Sequence, residues 1–234
     1  MESPLDDVAA VAALNEPVRS RLYSFVRRQG EPVSREAAAA DSGISVNLAA
    51  FHLDKLVDVG LLNSHYGRLP DAPPQRGRSP KLYQVGDREI TASLPPRRYD
   101  LSGEILLDAI ETRRDRETTV AAVLRAANAR GRRLGGQVRS DRRAGGPRSS
   151  SFDLAQRVLE EQGFEPYFDE SSTLRLRNCP FHRLAQRSPE LICSMNHAFI
   201  EGLLRGFGDD DSQVELAPRA GQCCVAISEE RNRA

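Results

Sequence analysis

The 234-residue chain is poor in soft metal ligands, since it has four cysteines and four histidines. It also has no apolar run of membrane-spanning length, and its acidic N-terminus lacks the basic-then-apolar pattern of a secretion signal. These absences favour a cytoplasmic protein, in which cysteines stay reduced. We therefore expect clustered cysteines to form a metal or redox site rather than disulfides.

Motifs of common enzymes are missing too. The sequence has no phosphate-binding loop, nucleophile elbow or dinucleotide fingerprint. The acidic runs at 160–161 and 209–211 are typical of solvated surface. Cys193 with His197 one helical turn later lacks a third group to orient the base. We predict that the protein is not an enzyme.

The first 60 residues predict a series of helices with clear end signals. The segment NEPVRSRLYSFVRRQ begins with Asn15 as cap and Pro17 in its first turn, and Gly30 ends it. Ser34 caps REAAAAD, and Ser45 caps SVNLAAFHLDKLVDVG. Two short strands, LLNSHYGRL and KLYQV, flank the Pro/Gly/Arg-rich stretch PDAPPQRGRSP and predict a hairpin wing. Residues 1–90 therefore predict a winged helix-turn-helix.

The third of these helices is the predicted recognition helix. At 100° per residue, Val46, Ala49, Leu53, Leu56, Val57 and Gly60 share the packed side. The opposite side presents Phe51, which either touches a thymine methyl group or fills a gap against the wing. The wing carries a local charge of +3, which suits phosphate contact. The predicted DNA-contacting residues are Ser45, Asn47, Ala50, Phe51 and Lys55 in the helix, with Arg68, Arg76, Arg78 and Lys81 in the wing.

Charge and composition change along the rest of the chain. Residues 97–150 carry 13 basic and 7 acidic side chains, whereas residues 151–234 carry 9 and 14. The pattern predicts a helix over 102–135, a flexible basic stretch over 139–151, and helices and strands from 152 onward. We predict an α+β protein with a winged helix-turn-helix at 1–90, a helical dimerisation segment and linker at 91–151, and a small α+β sensor domain at 152–234.

Two families are similar to parts of this sequence. The stretch from LNEPVRSRLYSFVRRQ to KLYQV resembles the ArsR-type winged-helix regulators. The pattern NCPFHRLA, SPELIC, NHAFIEGLLRGFG and GQCCVAI resembles the SufR-like branch of iron–sulfur-containing transcriptional regulators. This resemblance implies that Cys179, Cys193 and one member of the pair Cys223 and Cys224 are the cluster ligands.

The cysteine positions leave several ligand sets open. Cys179 precedes Pro180, Cys193 lies in a predicted helix, and Cys223 lies in a predicted final strand. Neighbouring strand residues point to opposite faces, so we expect Cys223 rather than Cys224 to reach the metal. The candidates for a fourth ligand are His182 and His197, or a non-protein group. The spacings of Cys179 to His182 and Cys193 to His197 also suit tetrahedral zinc, and buried, inert cysteines are the third alternative.

The sequence thus predicts a homodimeric transcriptional regulator that binds a palindromic double-stranded operator. An iron–sulfur cluster in the C-terminal domain would control binding through the 102–135 helix, as a redox or iron–sulfur status sensor and a repressor. The alternative is a winged-helix regulator that senses a small-molecule ligand and carries a structural zinc or no metal. A third alternative is a protein-interaction adaptor with a degenerate helix-turn-helix.

Overall fold

A computed structural model describes residues 4–67, 79–143 and 150–229. The chain divides into two compact units, Met1–Ala92 and Ser93–Ala234, called here unit 1 and unit 2. No helix in the described ranges is long and apolar enough to cross a membrane.

The described residues of unit 1 form four helices and a three-stranded antiparallel sheet. The helices are α1 (Pro4–Ala13), α2 (Pro17–Gln29), α3 (Arg35–Ser42) and α4 (Val46–Asp58). The strands are β1 (Val33–Ser34), β2 (Leu62–Tyr66) and β3 (Lys81–Val85), in the order β1-β3-β2. Leu62 pairs with Val85 and Tyr66 with Lys81, which confirms the predicted hairpin.

The helix ends of unit 1 follow from side-chain caps. Ser34 and Ser45 accept backbone N–H bonds at the starts of α3 and α4, as the sequence predicts. The predicted cap of α2 is wrong by one residue, because the Glu16 carboxylate, not Asn15, accepts from Val18 N (3.1 Å) and Arg19 N (2.7 Å). Gly30 ends α2 in the left-handed region, at φ 72°.

In unit 2, the part of the chain that the structure describes forms five helices and a four-stranded antiparallel sheet. The helices are α5 (Tyr99–Glu111), α6 (Thr119–Arg143), α7 (Ser151–Glu161), α8 (His182–Arg187) and α9 (Pro189–Phe207). The strands are β4 (Pro166–Phe168), β5 (Leu174–Leu176), β6 (Ser212–Leu216) and β7 (Val225–Glu229), in the order β4-β5-β7-β6.

The middle segment differs from its prediction in two ways. The single helix expected over 102–135 is two helices, because Arg125 binds the Glu117 carboxylate (2.8 Å) and the Thr112 carbonyl (3.0 Å) and so stabilises a loop between them. In addition, α5 and α6 share one hydrophobic core with α7, α9 and the sheet. The helices α5 and α6 therefore do not form a body separate from the rest of unit 2, since their buried apolar residues belong to its core.

The stretch expected to be a flexible linker is partly helical. Residues 139–143 continue α6, and the Ser150 side chain caps α7 in a reciprocal pair of bonds with Asp153. Residues 144–149 lie outside the described ranges.

Helices α6 and α9 approach closely through glycines on both sides. A Cβ atom added at Gly131 or Gly135 would collide with backbone carbonyls of α9, and one at Gly202 or Gly206 with backbone carbonyls of α6. Each pair is spaced four residues apart and therefore lies on one helix face. The position of α9, which carries Cys193, is thus fixed by direct backbone contact with α6.

Candidate functional site

The outward face of α4 carries exposed polar and apolar side chains. Ala49, Leu53 and Leu56 are fully buried in the core of unit 1. On the other side Asn47 is exposed, and Phe51 is 55% exposed. Val46, expected on the packed side, is 37% exposed because it is the first residue of the helix. Among the described residues of unit 1, Phe51 therefore fills no gap, and its ring is exposed.

The charged residues of α4 are all ion-paired within unit 1. Lys55 Nζ lies 3.1 Å from an Asp58 carboxylate oxygen. Lys81 Nζ lies 2.6 Å from Asp54 Oδ1, which also accepts the Tyr83 hydroxyl at 2.9 Å. Lys81, expected to contact DNA, thus connects β3 to α4. Of the remaining expected contacts, Ser45 is the cap of α4 and Ala50 is half-buried, whereas Arg68, Arg76 and Arg78 lie outside the described residues.

The four cysteines come from three separate segments of unit 2. Cys179 lies in the turn before α8, and Cys193 lies near the start of α9. Cys223 and Cys224 lie just before β7, not in the strand where they were expected. All four are free thiols. Cys223 is buried and the others are half-buried.

The four cysteines form a group, called here the thiol network, in which each thiol shifts the pKa of at least one other. Hydrogen bonding with Cys223 lowers the pKa of Cys179. The Cys223 bond, helped by a second bond from the Cys193 thiol, lowers the pKa of Cys224 to about 7. Burial raises the pKa of Cys193 to about 12, and the two donated bonds raise the pKa of Cys223. The interactions therefore lower the pKa values of Cys179 and Cys224 and raise those of Cys193 and Cys223.

Both members of the cysteine pair reach this network, although the alternation rule for strands predicts that one would not. The rule does not apply because regular pairing of β7 begins after them, at Val225. The Cys223 N–H donates to the Leu176 carbonyl (3.0 Å), and the Cys224 carbonyl accepts from Ala217 N (2.7 Å). These bonds hold the backbone of the pair outside the regular ladder of β7, and both thiols interact with other cysteines of the thiol network.

Asn196 is a site residue that the sequence reasoning missed. It is 1% exposed, and its Nδ2 donates to Cys223 Sγ at 3.2 Å. Its Oδ1 is buried and has no hydrogen-bond partner in the structure, which costs about 1–3 kcal/mol for a polar atom. The available signal was an amide three residues after Cys193, which places it on the same helix face as that cysteine.

The two candidate histidines, His182 and His197, differ in their exposure and in their contacts. His182 is exposed at the start of α8. His197 Nε2 is bound to the Val214 carbonyl of β6 at 2.8 Å, so His197 connects α9 to the sheet. The thiol network is built from cysteines and Asn196, without either histidine ring.

The residues of this centre suit a thiolate-bound metal in their chemistry. Cysteine sulfurs are the ligands of iron–sulfur clusters and of many structural zinc sites. The buried, unpartnered Asn196 Oδ1 beside the sulfurs also indicates a centre that lacks one of its polar partners. The described residues contain no group of three His, Cys, Asp or Glu side chains with metal-site geometry. Metal binding would therefore require the sulfurs to rearrange around the metal and to release their thiol protons.

Comparison with known proteins supports the assignment of unit 1. Residues 14–65 match the family described as "Helix-turn-helix domain", a range that includes α2, α3, α4 and most of β2. No curated protein matches the chain. The match, together with the hairpin and the exposed face of α4, supports a winged-helix regulator and indicates a DNA-binding transcriptional regulator.

Proposed function

We propose that the protein represses transcription as a homodimer and that an iron–sulfur cluster held by its cysteines controls operator binding. The observation that supports this proposal is the network of four free thiols in unit 2. Unit 1 of the same chain carries a helix-turn-helix. Such a combination suits a regulator that responds to metal or redox state.

Base reading is assigned to the outward face of α4. Asn47 has the donor and acceptor pattern that pairs with adenine, and the exposed Phe51 ring suits a thymine methyl group. Since the charged residues of α4 are paired with other residues of unit 1, specificity would depend on these two side chains. The wing would contact the flanking phosphates.

Dimerisation is assigned to the outer face of α5. Tyr99, Leu107 and Ile110 are 38%, 58% and 71% exposed, and they lie on the side of the helix away from the core residues Leu101 and Ile105. A two-fold axis across this face would bury the apolar side chains of both copies. Two recognition helices would then meet a palindromic operator one helical turn apart.

In the cysteine centre, the four sulfurs are the candidate ligands of the cluster, namely Cys179, Cys193, Cys223 and Cys224. A bound iron–sulfur cluster supplies reversible, redox-sensitive links between the segments that carry these sulfurs. The chain itself contributes the burial that excludes water from Cys223 and the Asn196 amide that donates to its sulfur. Hydrogen bonds of this kind to ligand sulfurs tune the reduction potential.

The metal content is tested by anaerobic purification, with iron, sulfide and zinc analysis and a visible spectrum. We expect brown protein that contains iron and sulfide, with both lost in a Cys179→Ala variant. Colourless protein with stoichiometric zinc would support the alternative, a structural zinc in a ligand-sensing regulator. Protein without either metal would contradict cluster control and leave the DNA-binding assignment intact.

DNA recognition is tested separately, by selecting binding sequences from a random library with the full-length protein. We expect a palindromic site whose affinity falls by about 1–3 kcal/mol for each lost base contact in Asn47→Ala and Phe51→Ala. Val11→Ala is the matched control, because Val11 is 50% exposed on α1 and lies outside the recognition helix. Equal binding by all three variants would contradict the assignment of α4.

A further inference from the structure

The segment 96–98 is hydrogen-bonded to the turn that carries Cys179. Arg97 Nη1 donates to Asn178 Oδ1 (2.5 Å) and to the Cys179 carbonyl oxygen (3.0 Å). Asn178 Nδ2 donates in return to the Pro96 carbonyl oxygen (3.0 Å). The Arg98 backbone N–H donates to the Pro180 carbonyl oxygen (3.2 Å). We call these four bonds between 96–98 and 178–180 the clamp.

At the centre of the clamp is the buried side-chain amide of Asn178, whose oxygen and nitrogen are both hydrogen-bonded. Asn178 is 7% exposed, and its Nδ2 also donates to the Gly163 carbonyl at 2.6 Å. Leaving such a buried group unpaired is costly, so the turn 178–180 and the segment 96–98 will move together more readily than they separate. The clamp is thus a mechanical connection, not a loose surface contact.

One of the two segments joined by the clamp, 96–98, lies close in sequence to the boundary between the two units. Unit 1 ends at Ala92 and unit 2 begins at Ser93, so residues 96–98 belong to the stretch through which unit 2 joins the helix-turn-helix. At the other side of the clamp, the carbonyl of Cys179 is itself an acceptor. Any change that moves the Cys179 sulfur acts, through the same residue, on a backbone atom held by Arg97.

We propose that the clamp transmits the state of the cysteine centre to the DNA-binding unit, with Arg97 and Asn178 as the positioning residues. This inference rests on the proposed function. It assigns the coupling to the segment 96–98 rather than to the helices of 102–135. Binding of a metal or cluster by Cys179 would shift the turn 178–180, and the clamp would redirect the chain that enters unit 1.

The test compares DNA affinity between two forms of the same full-length protein, the apoprotein and protein reconstituted anaerobically with iron and sulfide. Wild type is expected to differ between the forms by at least about 5-fold, the lower end of usual coupling between sites. Arg97→Gln, which retains its iron and sulfide content, is expected to reduce that difference to less than about 2-fold. Arg97→Lys keeps an ammonium group with three N–H donors, so this variant is expected to restore part of the affinity difference between the two forms.

The matched control is Arg125→Gln. Arg125 is also a half-buried arginine of unit 2, but its partners are Glu117 and Thr112, so its variant should keep the wild-type difference. An Arg97→Gln variant that responds like wild type would overturn the clamp and leave cluster control standing. Equal affinity of the two wild-type forms would instead overturn cluster control itself, and the clamp with it. Asn178→Ser is the second variant, should Arg97→Gln fail to fold, and the same loss of response is expected.

Discussion

The contact between α6 and α9 should be broken by a single methyl group at Gly135. A Cβ atom there would collide with the Leu203 carbonyl and lie 2.9 Å from the Gly206 Cα, whereas ordinary contacts begin at 3.4 Å. The helices must therefore separate by more than about 0.5 Å, which forfeits a quarter or more of each dispersion contact. Overpacking of this kind costs about 1–3 kcal/mol, against about 1 kcal/mol gained from the helix propensity of alanine.

The neighbouring residue provides the control. Gly136 is in the same helix, and a Cβ atom there would meet nothing within 4 Å. Gly136→Ala should therefore be neutral or stabilising by up to about 1 kcal/mol. Both variants gain the same helix propensity, so they should differ by the overpacking cost alone, about 1–3 kcal/mol, or roughly 3–12 °C in the melting temperature of unit 2. Thermal unfolding by calorimetry measures this difference, and equal melting temperatures for the two variants would refute the close approach of the helices.

Three further predictions concern the thiols, the acid response and the dimer. Iodoacetamide at pH 7.5, followed by peptide mass spectrometry, should modify Cys224 before Cys193, because their pKa values are about 7 and about 12; the reverse order would contradict the network. Hydrogen bonding, first from Arg175, lowers the pKa of Asp169 to about 2. The carboxylate therefore stabilises the fold above the unfolded pKa near 3.9 and loses this effect as the pH falls toward 2. The melting-temperature gap between wild type and Asp169→Asn should close over that range, and a constant gap would argue against it. Ile110→Glu should convert dimer to monomer in analytical ultracentrifugation, and an unchanged mass would exclude the α5 face.

Local signals made much of unit 1 predictable from the sequence. Ser34 and Ser45 cap their helices through their own side chains, and Gly30 ends α2 because its φ is positive. Each of these features depends on residues within one helical turn. The cap of α2 was misplaced because both Asn15 and Glu16 precede Pro17, and sequence preference favours asparagine over glutamate as a cap.

Features that depend on distant partners were not predictable. The break between α5 and α6 is stabilised by Arg125, which lies eight residues beyond Glu117. The apolar periodicity continues across it, so the pattern predicts one helix. The glycines at 131 and 135 read as weak points of a helix, because only the facing backbone of α9 reveals why small residues are needed there.

The cysteine centre was predictable in composition but not in arrangement. The concentration of cysteines and histidines near 179–197 indicated a site, yet it gave no way to separate thiol partners from His197, whose ring is bound to Val214. Asn178 was passed over for a similar reason. Its partner Arg97 is 81 residues away in sequence, and an asparagine before Cys-Pro reads as an ordinary turn residue.

The glycine contact and the clamp together constrain how the segments that carry the cysteines can move. Cys193 is carried by α9, whose backbone touches that of α6, so α9 cannot shift without separating the two helices. Cys223 is held to β5 through the Leu176 carbonyl. Cys179 lies in a turn whose described polar partners include the segment 96–98. The turn 178–180 is held too, through Asn178, to the Gly163 carbonyl and to the segment 96–98. Under the proposed coupling, a shift of this turn would therefore act on the segment 96–98, which lies close in sequence to the end of unit 1.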